Sequence, residues 1–191
     1  MQTPELRREE LLDAAEHWFL KKGIAATSVD DIVAKVGVAK GTFYLSFPSK
    51  EALLVAVQER FVAAFSARQR AAMEHYRADQ WHERLRASLQ AGIEGYLDQV
   101  RLHDVLFHEH RPHDRQGMSN NQVVVEFTAF LRAGHEAGAW RVTNPRLTAV
   151  MLFHALHGAV DHAIAEQPDI SRIDRQRLAS AVGDFAQRAL G

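Results

Sequence analysis

The stretch TSVDDIVAKVGVAKGTFYLSFPSK, residues 27–50, decides the fold of this chain. Ser28 is a good helix N-cap, and Asp31, three residues later, can complete a capping box. Apolar residues then recur at helical spacing, and Gly37 supplies the left-handed residue that ends a helix. A second short helix, about residues 39–45, must begin almost at once. The sequence therefore predicts a helix-turn-helix, a motif whose second helix fits a major groove.

The string that follows the turn, GTFYLSFPSKEALL at residues 41–54, is much more specific than helix, glycine and helix alone. It resembles the TetR family of transcription regulators, whose N-terminal domain typically ends in a Gly-Thr-aromatic-Tyr-x-x-Phe-x-Ser-Lys-Glu-x-Leu run. The resemblance extends back to Leu11, so it covers about the first quarter of the chain. Ser46 stands where the family often has His, and Pro48 where it often has Lys or a small polar residue. The resemblance implies a homodimeric repressor of a palindromic operator, released by a small-molecule effector.

Within this stretch we predict eight DNA contacts: Thr27, Ser28, Lys40, Gly41, Thr42, Tyr44, Ser46 and Lys50. The family pattern implies that Tyr44 and Lys50 meet phosphates. It also implies that four residues face or approach base edges: Lys40, Gly41, Thr42 and Ser46. Thr27 and Ser28 stand at the positive end of the first helix of the motif, where hydroxyl and backbone N–H groups can hold another phosphate. The alternative for Tyr44 is a core aromatic, but two neighbouring Phe residues already fill that role.

The composition is ordinary for a globular protein, with 47% hydrophobic and 25% charged residues among 191. There is no Cys, which excludes disulfides and thiolate chemistry. No apolar run approaches the length of a membrane span, and the N-terminus lacks a signal-peptide pattern. We therefore expect a cytoplasmic protein with no membrane partner. The net charge is −1, and the first 50 residues contain seven Lys and Arg and an equal number of Asp and Glu. A DNA interface therefore requires positive charge that is placed locally.

Every other predicted element is also a helix. The first begins at Thr3-Pro4 and closes at Gly23, and Ser49 caps a long helix that reaches about Arg77. Later helices are predicted at about 81–100, 102–109, 119–137, 145–166 and 172–190. Gly92 and Gly95 interrupt the first of these, which indicates that a helix or ligand approaches its backbone closely. About nine helices and no strand predict an all-α fold.

Two domains are predicted, and the long helix belongs to both. Residues 1–48 form a three-helix DNA-binding domain of the helix-turn-helix type, and residues 49–191 form a ligand-binding and dimerisation domain. The helix at 145–166 is apolar on most sides, so the dimer is predicted to form through it and the last helix. The predicted interface residues are His154, Gly158, His162, Val182 and Phe185. The alternative for Gly158 is contact with its own subunit's core.

The C-terminal domain is rich in histidine, with most of the eleven His of the chain at or after position 103. We predict an effector pocket with apolar walls and a few polar groups, lined by His103, Phe107, His108, Phe127, Phe130, His154 and His157. Two effector classes fit, an organic compound or a divalent metal, and we favour the organic compound. No cofactor is expected.

The alternative is a metal-sensing regulator. Asp104 and His108 stand four residues apart, a spacing that can bind one metal, and His110 and His113 follow. His154 and His157 form a second candidate pair. A metal-dependent enzyme is the remote alternative. It is disfavoured because the chain has no Gly-rich phosphate loop and no nucleophile elbow, and because it leaves the helix-turn-helix string unexplained. We therefore predict that the chain is not an enzyme.

Overall fold

The computed structural model describes residues 3–108, 121–167 and 169–191. All regular secondary structure in these ranges is helical, as predicted. A π-helix, Asp104–His108, directly follows the sixth α-helix. The α-helices of these ranges are α1 Pro4–Ala26, α2 Val29–Val36, α3 Lys40–Ser46, α4 Lys50–Met73, α5 Trp81–Asp98, α6 Val100–His103, α7 Gln122–Glu136, α8 Pro145–Glu166 and α9 Arg172–Leu190.

The described residues form two compact units. The first contains residues 3–61 and 99–108, so α6 and the π-helix belong to the same unit as α1, α2 and α3. The second contains residues 62–98 and those from 121 onward. The predicted domain boundary at residue 48 divides the chain by function and not by packing, so the two compact units do not test it and it stays a prediction.

The start and stop signals of the helix-turn-helix are confirmed. The Ser28 hydroxyl accepts a hydrogen bond from the Asp31 backbone N–H at 3.2 Å, and the Asp31 carboxylate accepts one from the Ser28 N–H at 2.8 Å. Gly37 then ends α2 in the left-handed conformation, with φ 76° and ψ 34°. This conformation favours glycine, because it places a Cβ too close to the following carbonyl.

Two helix ends differ from the prediction. Gly23 does not close α1. It kinks the helix, with φ 79° and ψ 163°, and the helix continues to Ala26. Helix α4 ends at Met73 and not near Arg77. The Tyr76 N–H donates to the Met73 carbonyl at 3.2 Å in a tight turn, and the Arg77 N–H donates to the Gln80 side chain at 2.9 Å.

Apolar side chains from α1 to α4 and from the π-helix form the core of the first unit. Polar contacts surround this core and connect its helices. The Trp18 indole N–H donates to the Asp31 carbonyl at 3.0 Å, and the Arg60 guanidinium binds the carboxylates of Asp13 at 2.7 Å and Glu16 at 2.8 Å. These bonds hold α1 against α2 and α4. The fully buried core residues include Leu11, Leu12, Phe19, Ile32, Phe43, Leu53 and Leu106.

Close helix packing in the second unit explains the glycines of α5. A Cβ on Gly92 would lie 3.2 Å from Leu156 of α8 and 2.9 Å from the Gln69 side-chain nitrogen of α4. A neighbouring helix therefore approaches this backbone, as predicted. An ion pair between Arg86 and Asp184 connects α5 with α9.

Helix α8 is more apolar than the sequence analysis allowed. By length and composition it could cross a membrane, with a mean hydropathy of 1.2 over an 18-residue window, so the statement that no run approaches a span is wrong. Only 22% of that window is buried within the chain. The helix also carries His154, His157 and Asp161, and polar residues of this kind are expensive inside a bilayer.

Candidate nucleic-acid interface and effector cavity

Helix α3 is anchored by two inward aromatic side chains, one within it and one at its C-cap, and it presents a different face to solvent. Phe43 and Phe47 are buried in the first unit's core. Tyr44 is 51% exposed, and its ring meets Phe43 edge-on at 5.3 Å between centroids. Tyr44 is therefore not a core aromatic. Thr42 and Ser46 are half-buried.

Leu45 is a further exposed residue of α3 that was not among the predicted DNA contacts. At 89% exposure it is the most exposed large apolar side chain among the described residues. An apolar side chain on a groove-facing helix can contact the methyl group of thymine. The available signal was its position: with Phe43 and Phe47 as inward anchors, the residue midway between them must point outward.

Thr27 and Ser28 have separate roles in the structure. Thr27 is 2% exposed, and its hydroxyl donates to the Gly23 carbonyl at 2.8 Å, while its N–H donates to the Ile24 carbonyl at 3.3 Å. The prediction that Thr27 offers its hydroxyl and N–H to a phosphate is therefore wrong, because this residue caps the end of α1. Ser28 is exposed. Hydrogen bonds from Lys22 and Ser28 hold the pKa of Asp31 well below its usual range, so a full negative charge sits at this helix start.

Lys40 and Gly41, at the start of α3, are the next two residues of the predicted DNA-contact surface. The Lys40 ammonium lies 2.9 Å from the carboxylate of Asp30, and this hydrogen bond raises the pKa of Lys40. Both partners are more than half exposed, and such pairs contribute little to stability. A Cβ on Gly41 would meet nothing within 4 Å, so its exposed position leaves the helix backbone open to an approaching molecule.

Lys50 is held more firmly than predicted. Its ammonium donates to the Ile24 carbonyl at 3.0 Å and to the Thr27 carbonyl at 2.9 Å. Two of its three N–H groups are thus used inside the chain, at the negative end of α1. One N–H remains for a phosphate, so the predicted contact is geometrically allowed but is not the residue's main structural role.

The second unit contains a small apolar cavity between α4, α5, α7 and α8. Its volume is about 20 Å³, which is roughly the space of one water molecule. Two polar side chains reach it, those of Gln69 and His157. The apolar lining consists of Phe65, Leu89, Val123, Phe127, Leu152, Phe153 and Leu156.

The predicted effector pocket is only partly reproduced. Phe127 and His157 line the cavity, and no other member of the predicted set does. Phe130 packs against Trp81, at 5.6 Å between ring centroids, and His154 is exposed. The remaining members, His103, Phe107 and His108, belong to the first unit, because the helix that carries them packs with α1.

The predicted dimer residues divide by exposure. His154, Gly158 and His162 are exposed on α8, and Phe185 is 50% exposed on α9. A Cβ on Gly158 would meet nothing within 4 Å, so the alternative that Gly158 contacts its own subunit's core is wrong. Val182 is 7% exposed and cannot offer much surface to a partner, so the prediction that it lies in the dimer interface is wrong. Exposed apolar neighbours on the two helices are Leu147, Met151 and Ile173.

The predicted metal residues also regroup. His154 is exposed, and the His157 ring nitrogen lies 3.0 Å from the Phe153 carbonyl, so these two do not form a site. Asp104 and His108 do lie together, and His103 joins them. His110 and His113 lie outside the described residues.

Comparisons with known proteins agree with the helix-turn-helix geometry. Residues 11–57 match the family model described as bacterial regulatory proteins, tetR family. The HTH-type transcriptional regulator YerO of Bacillus subtilis is 41% identical over 56 residues, which are 29% of this chain and 19% of that protein. The HTH-type transcriptional repressor NemR of Escherichia coli is 33% identical over 93 residues, 49% of this chain and 39% of NemR.

Solved structures match over nearly the whole chain. SmeT, the repressor of a multidrug efflux pump of Stenotrophomonas maltophilia, is 25% identical with a TM-score of 0.70, covering 95% of this chain and 89% of SmeT. The fatty acid degradation regulator FadR of Bacillus halodurans shares the fold, at 21% identity and a TM-score of 0.74, covering 93% of this chain and 96% of FadR. The sequence matches span less than half of the length of YerO and of NemR.

Proposed function

Because the chain belongs to the TetR family of bacterial regulatory proteins, we propose that it is a transcriptional repressor that binds a palindromic operator as a homodimer and is released by a small organic effector. The observation that carries the proposal is the arrangement of α3. Its aromatic residues Phe43 and Phe47 anchor it in the core, and Tyr44 and Leu45 are exposed beside the half-buried Thr42. This is the form of a helix that reads a major groove.

The charge around α3 suits exchange with DNA. Lys40 is paired with Asp30 in an exposed ion pair, and the pair can be given up for a phosphate at little cost. The Tyr44 hydroxyl and the third N–H of the Lys50 ammonium supply further phosphate contacts. Thr42, Ser46 and Leu45 then face base edges, and Leu45 favours a thymine methyl.

The effector site is proposed at the cavity between α4, α5, α7 and α8. Its walls are aromatic and aliphatic, and Gln69 and His157 can orient a polar group of the ligand. A volume of about 20 Å³ is too small for any organic effector, so binding must displace the lining side chains. Effector and operator binding are then reciprocally coupled, typically by about 1–3 kcal/mol.

The homodimer is proposed to form through the exposed faces of α8 and α9. On α8 the exposed residues Leu147, Met151, His154 and Gly158 recur at three- and four-residue intervals, which places them on one face. A two-fold axis would pair this face with its own copy, giving a four-helix bundle with two helices from each subunit. A regulator of this kind acts in the cytoplasm, where its DNA lies.

Selection of bound DNA from a random pool tests the proposal. We expect enrichment of a palindrome, and a complex with two chains per site. Thr42→Ala should change the preferred sequence, whereas Tyr44→Phe should weaken binding to all selected sequences by a similar factor. Failure to enrich any sequence with folded, dimeric protein would refute the assignment.

A further inference from the structure

The α6 helix and the π-helix that follows it bring three metal-binding side chains together. The ligand atoms of His103, Asp104 and His108 all lie within 4.8 Å of one another. One oxygen of Asp104 lies 3.6 Å from His103 Nδ1 and 3.1 Å from His108 Nδ1. The two imidazole rings stand 5.0 Å apart and perpendicular.

The π-helix is the reason that the two histidines meet. Residues five apart in an α-helix point about 140° away from each other, at roughly 100° per residue. The i→i+5 ladder of a π-helix instead places such residues one above the other. His103 is the last residue of α6, and His108, five positions later, is the last residue of the π-helix. An α-helical continuation would have separated them.

The two distances from the Asp104 oxygen suit a small tetrahedral ion. With metal–ligand bonds of about 2.0–2.1 Å, two ligands of a tetrahedral zinc lie about 3.3 Å apart. The distances from the Asp104 oxygen to His108 Nδ1 and His103 Nδ1, 3.1 and 3.6 Å, lie on either side of this value. Two imidazole nitrogens and one carboxylate oxygen are a donor set that suits Zn²⁺, with the fourth position left to water or another ligand.

The surroundings also suit a metal centre. His103 is 8% exposed and packs against Phe61 and Phe107, with ring centroids 6.0 and 5.2 Å away, so its ring orientation is fixed by packing. Asp104 and His108 are about half exposed, which leaves a path for a hydrated ion. One ligand is thus rigid and two are accessible.

We propose that His103, Asp104 and His108 form a binding site for one divalent transition-metal ion of the Zn²⁺ class. The competing reading is an ion-pair cluster without metal, in which two imidazoles donate to one carboxylate oxygen. The two readings differ in what added metal does, because only the first saturates at one ion per chain.

The regulatory consequence, unlike the site itself, rests on the proposed function. The segment is bonded to the DNA-binding unit: Arg101 donates to the Leu20 carbonyl of α1 at 2.9 Å, and Gln58 of α4 donates to the Leu106 carbonyl at 2.6 Å. An ion that fixes this segment therefore changes the support of α1 and α4, and operator affinity should respond to the metal. This makes the metal a second effector beside the organic ligand.

The test is a titration of tag-free, chelator-treated protein with Zn²⁺ by calorimetry, and with Co²⁺ by visible absorption, in the absence of DNA. We expect one ion per chain and a Co²⁺ spectrum of the tetrahedral type. The half-exposed positions give variants that should keep their fold, His108→Ala and Asp104→Asn. Each should weaken Zn²⁺ binding by at least the roughly 100-fold that loss of a supporting partner can cost. The exposed His75, which belongs to none of the proposed sites, provides the matched control, since His75→Ala should bind Zn²⁺ as wild type does.

Binding should also weaken in acid, because the metal ion binds only the neutral form of imidazole and therefore competes with protons. Absence of saturable binding, or equal affinity in wild type and both ligand variants, would overturn the site and leave only an ion-pair cluster. Operator binding is measured separately with chelator present, so that failure of the DNA-binding assignment is distinguished from failure of the metal site. An operator affinity that ignores Zn²⁺ in a protein shown to bind it would overturn only the regulatory consequence.

Discussion

Gly158 provides the sharpest test of the proposed dimer. It lies in the middle of α8, and a Cβ there would meet nothing within 4 Å inside its own chain. Gly158→Leu therefore creates no clash within the subunit, and the helix propensity of Leu favours the folded chain by up to about 0.8 kcal/mol. The variant should fold, and its isolated subunit should be slightly more stable than the wild-type subunit.

In a two-fold interface the same substitution acts twice. Overpacking costs about 1–3 kcal/mol per inserted side chain, so the free energy of dimer dissociation should fall by about 2–6 kcal/mol. This corresponds to an increase of the dimer dissociation constant by roughly 30-fold to 20,000-fold. Gly158→Ala, which adds one methyl group, should have a smaller effect in the same direction.

Sedimentation equilibrium over a concentration series measures the effect, with urea unfolding as the check that the subunit is intact. Operator binding should be lost together with the dimer, because half-sites about 34–36 Å apart need two linked heads. Gly41→Ala serves as the control for dimerisation only, since Gly41 is also a helical glycine with open space around it but lies on α3. A Gly158→Leu protein that dimerises as tightly as wild type would refute the reasoning and place the interface elsewhere.

Three further predictions concern the DNA-binding unit and the fold. Gly41→Ala should leave the dimer intact but weaken operator binding about tenfold, or roughly 1.4 kcal/mol, in an anisotropy titration, because DNA approaches the backbone there; unchanged affinity would contradict this. Lys50→Met should lower the free energy of unfolding by about 1–3 kcal/mol in urea, because two carbonyls lose a charged donor; an unchanged midpoint and slope would show that these bonds are not formed in solution. Asp98 is partly buried, which would raise its pKa, but hydrogen bonds from Arg175 and Arg68 outweigh this and the pKa of Asp98 is lowered. Its contribution to stability is therefore present above about pH 4 and is lost as the pH falls through the lowered pKa. Asp98→Asn should reduce the difference in unfolding free energy between about pH 6 and about pH 3. An unreduced difference would show that the Asp98 carboxylate does not contribute to the loss of stability in acid.

Features set by local chemistry could be predicted from the sequence. Ser28 with Asp31, and Gly37 after them, satisfy backbone groups within a few residues of themselves, so their roles can be recognised without knowing the fold. Helix α8 was predicted with its observed bounds for the same reason, since Asn144 caps it and Pro145 opens it.

Features set by tertiary packing could not be predicted. The predicted pocket combined residues of both compact units, because a list of aromatic and imidazole side chains carries no information on which helices pack together. The meeting of His103 with His108 depends on a π-helix, and no periodicity of an α-helix indicates it. Thr27 was misassigned because a hydroxyl before a helix start can cap the preceding helix equally well.

The bonds from Lys50 to the end of α1 have a consequence for how this protein tolerates mutation. Both acceptors are main-chain carbonyls, those of residues 24 and 27, so every amino acid at those two positions offers the same oxygen. This connection between α1 and the long helix α4 therefore depends on the side chain at position 50 alone, whereas the connection made by Arg60 also needs the carboxylates of Asp13 and Glu16. In a saturation library selected for repression, we expect position 50 to accept few replacements, because few side chains can donate to both carbonyls. Exchanges at position 24 should be limited only by packing, whereas most exchanges at position 27 would also remove the hydroxyl that donates to the Gly23 carbonyl.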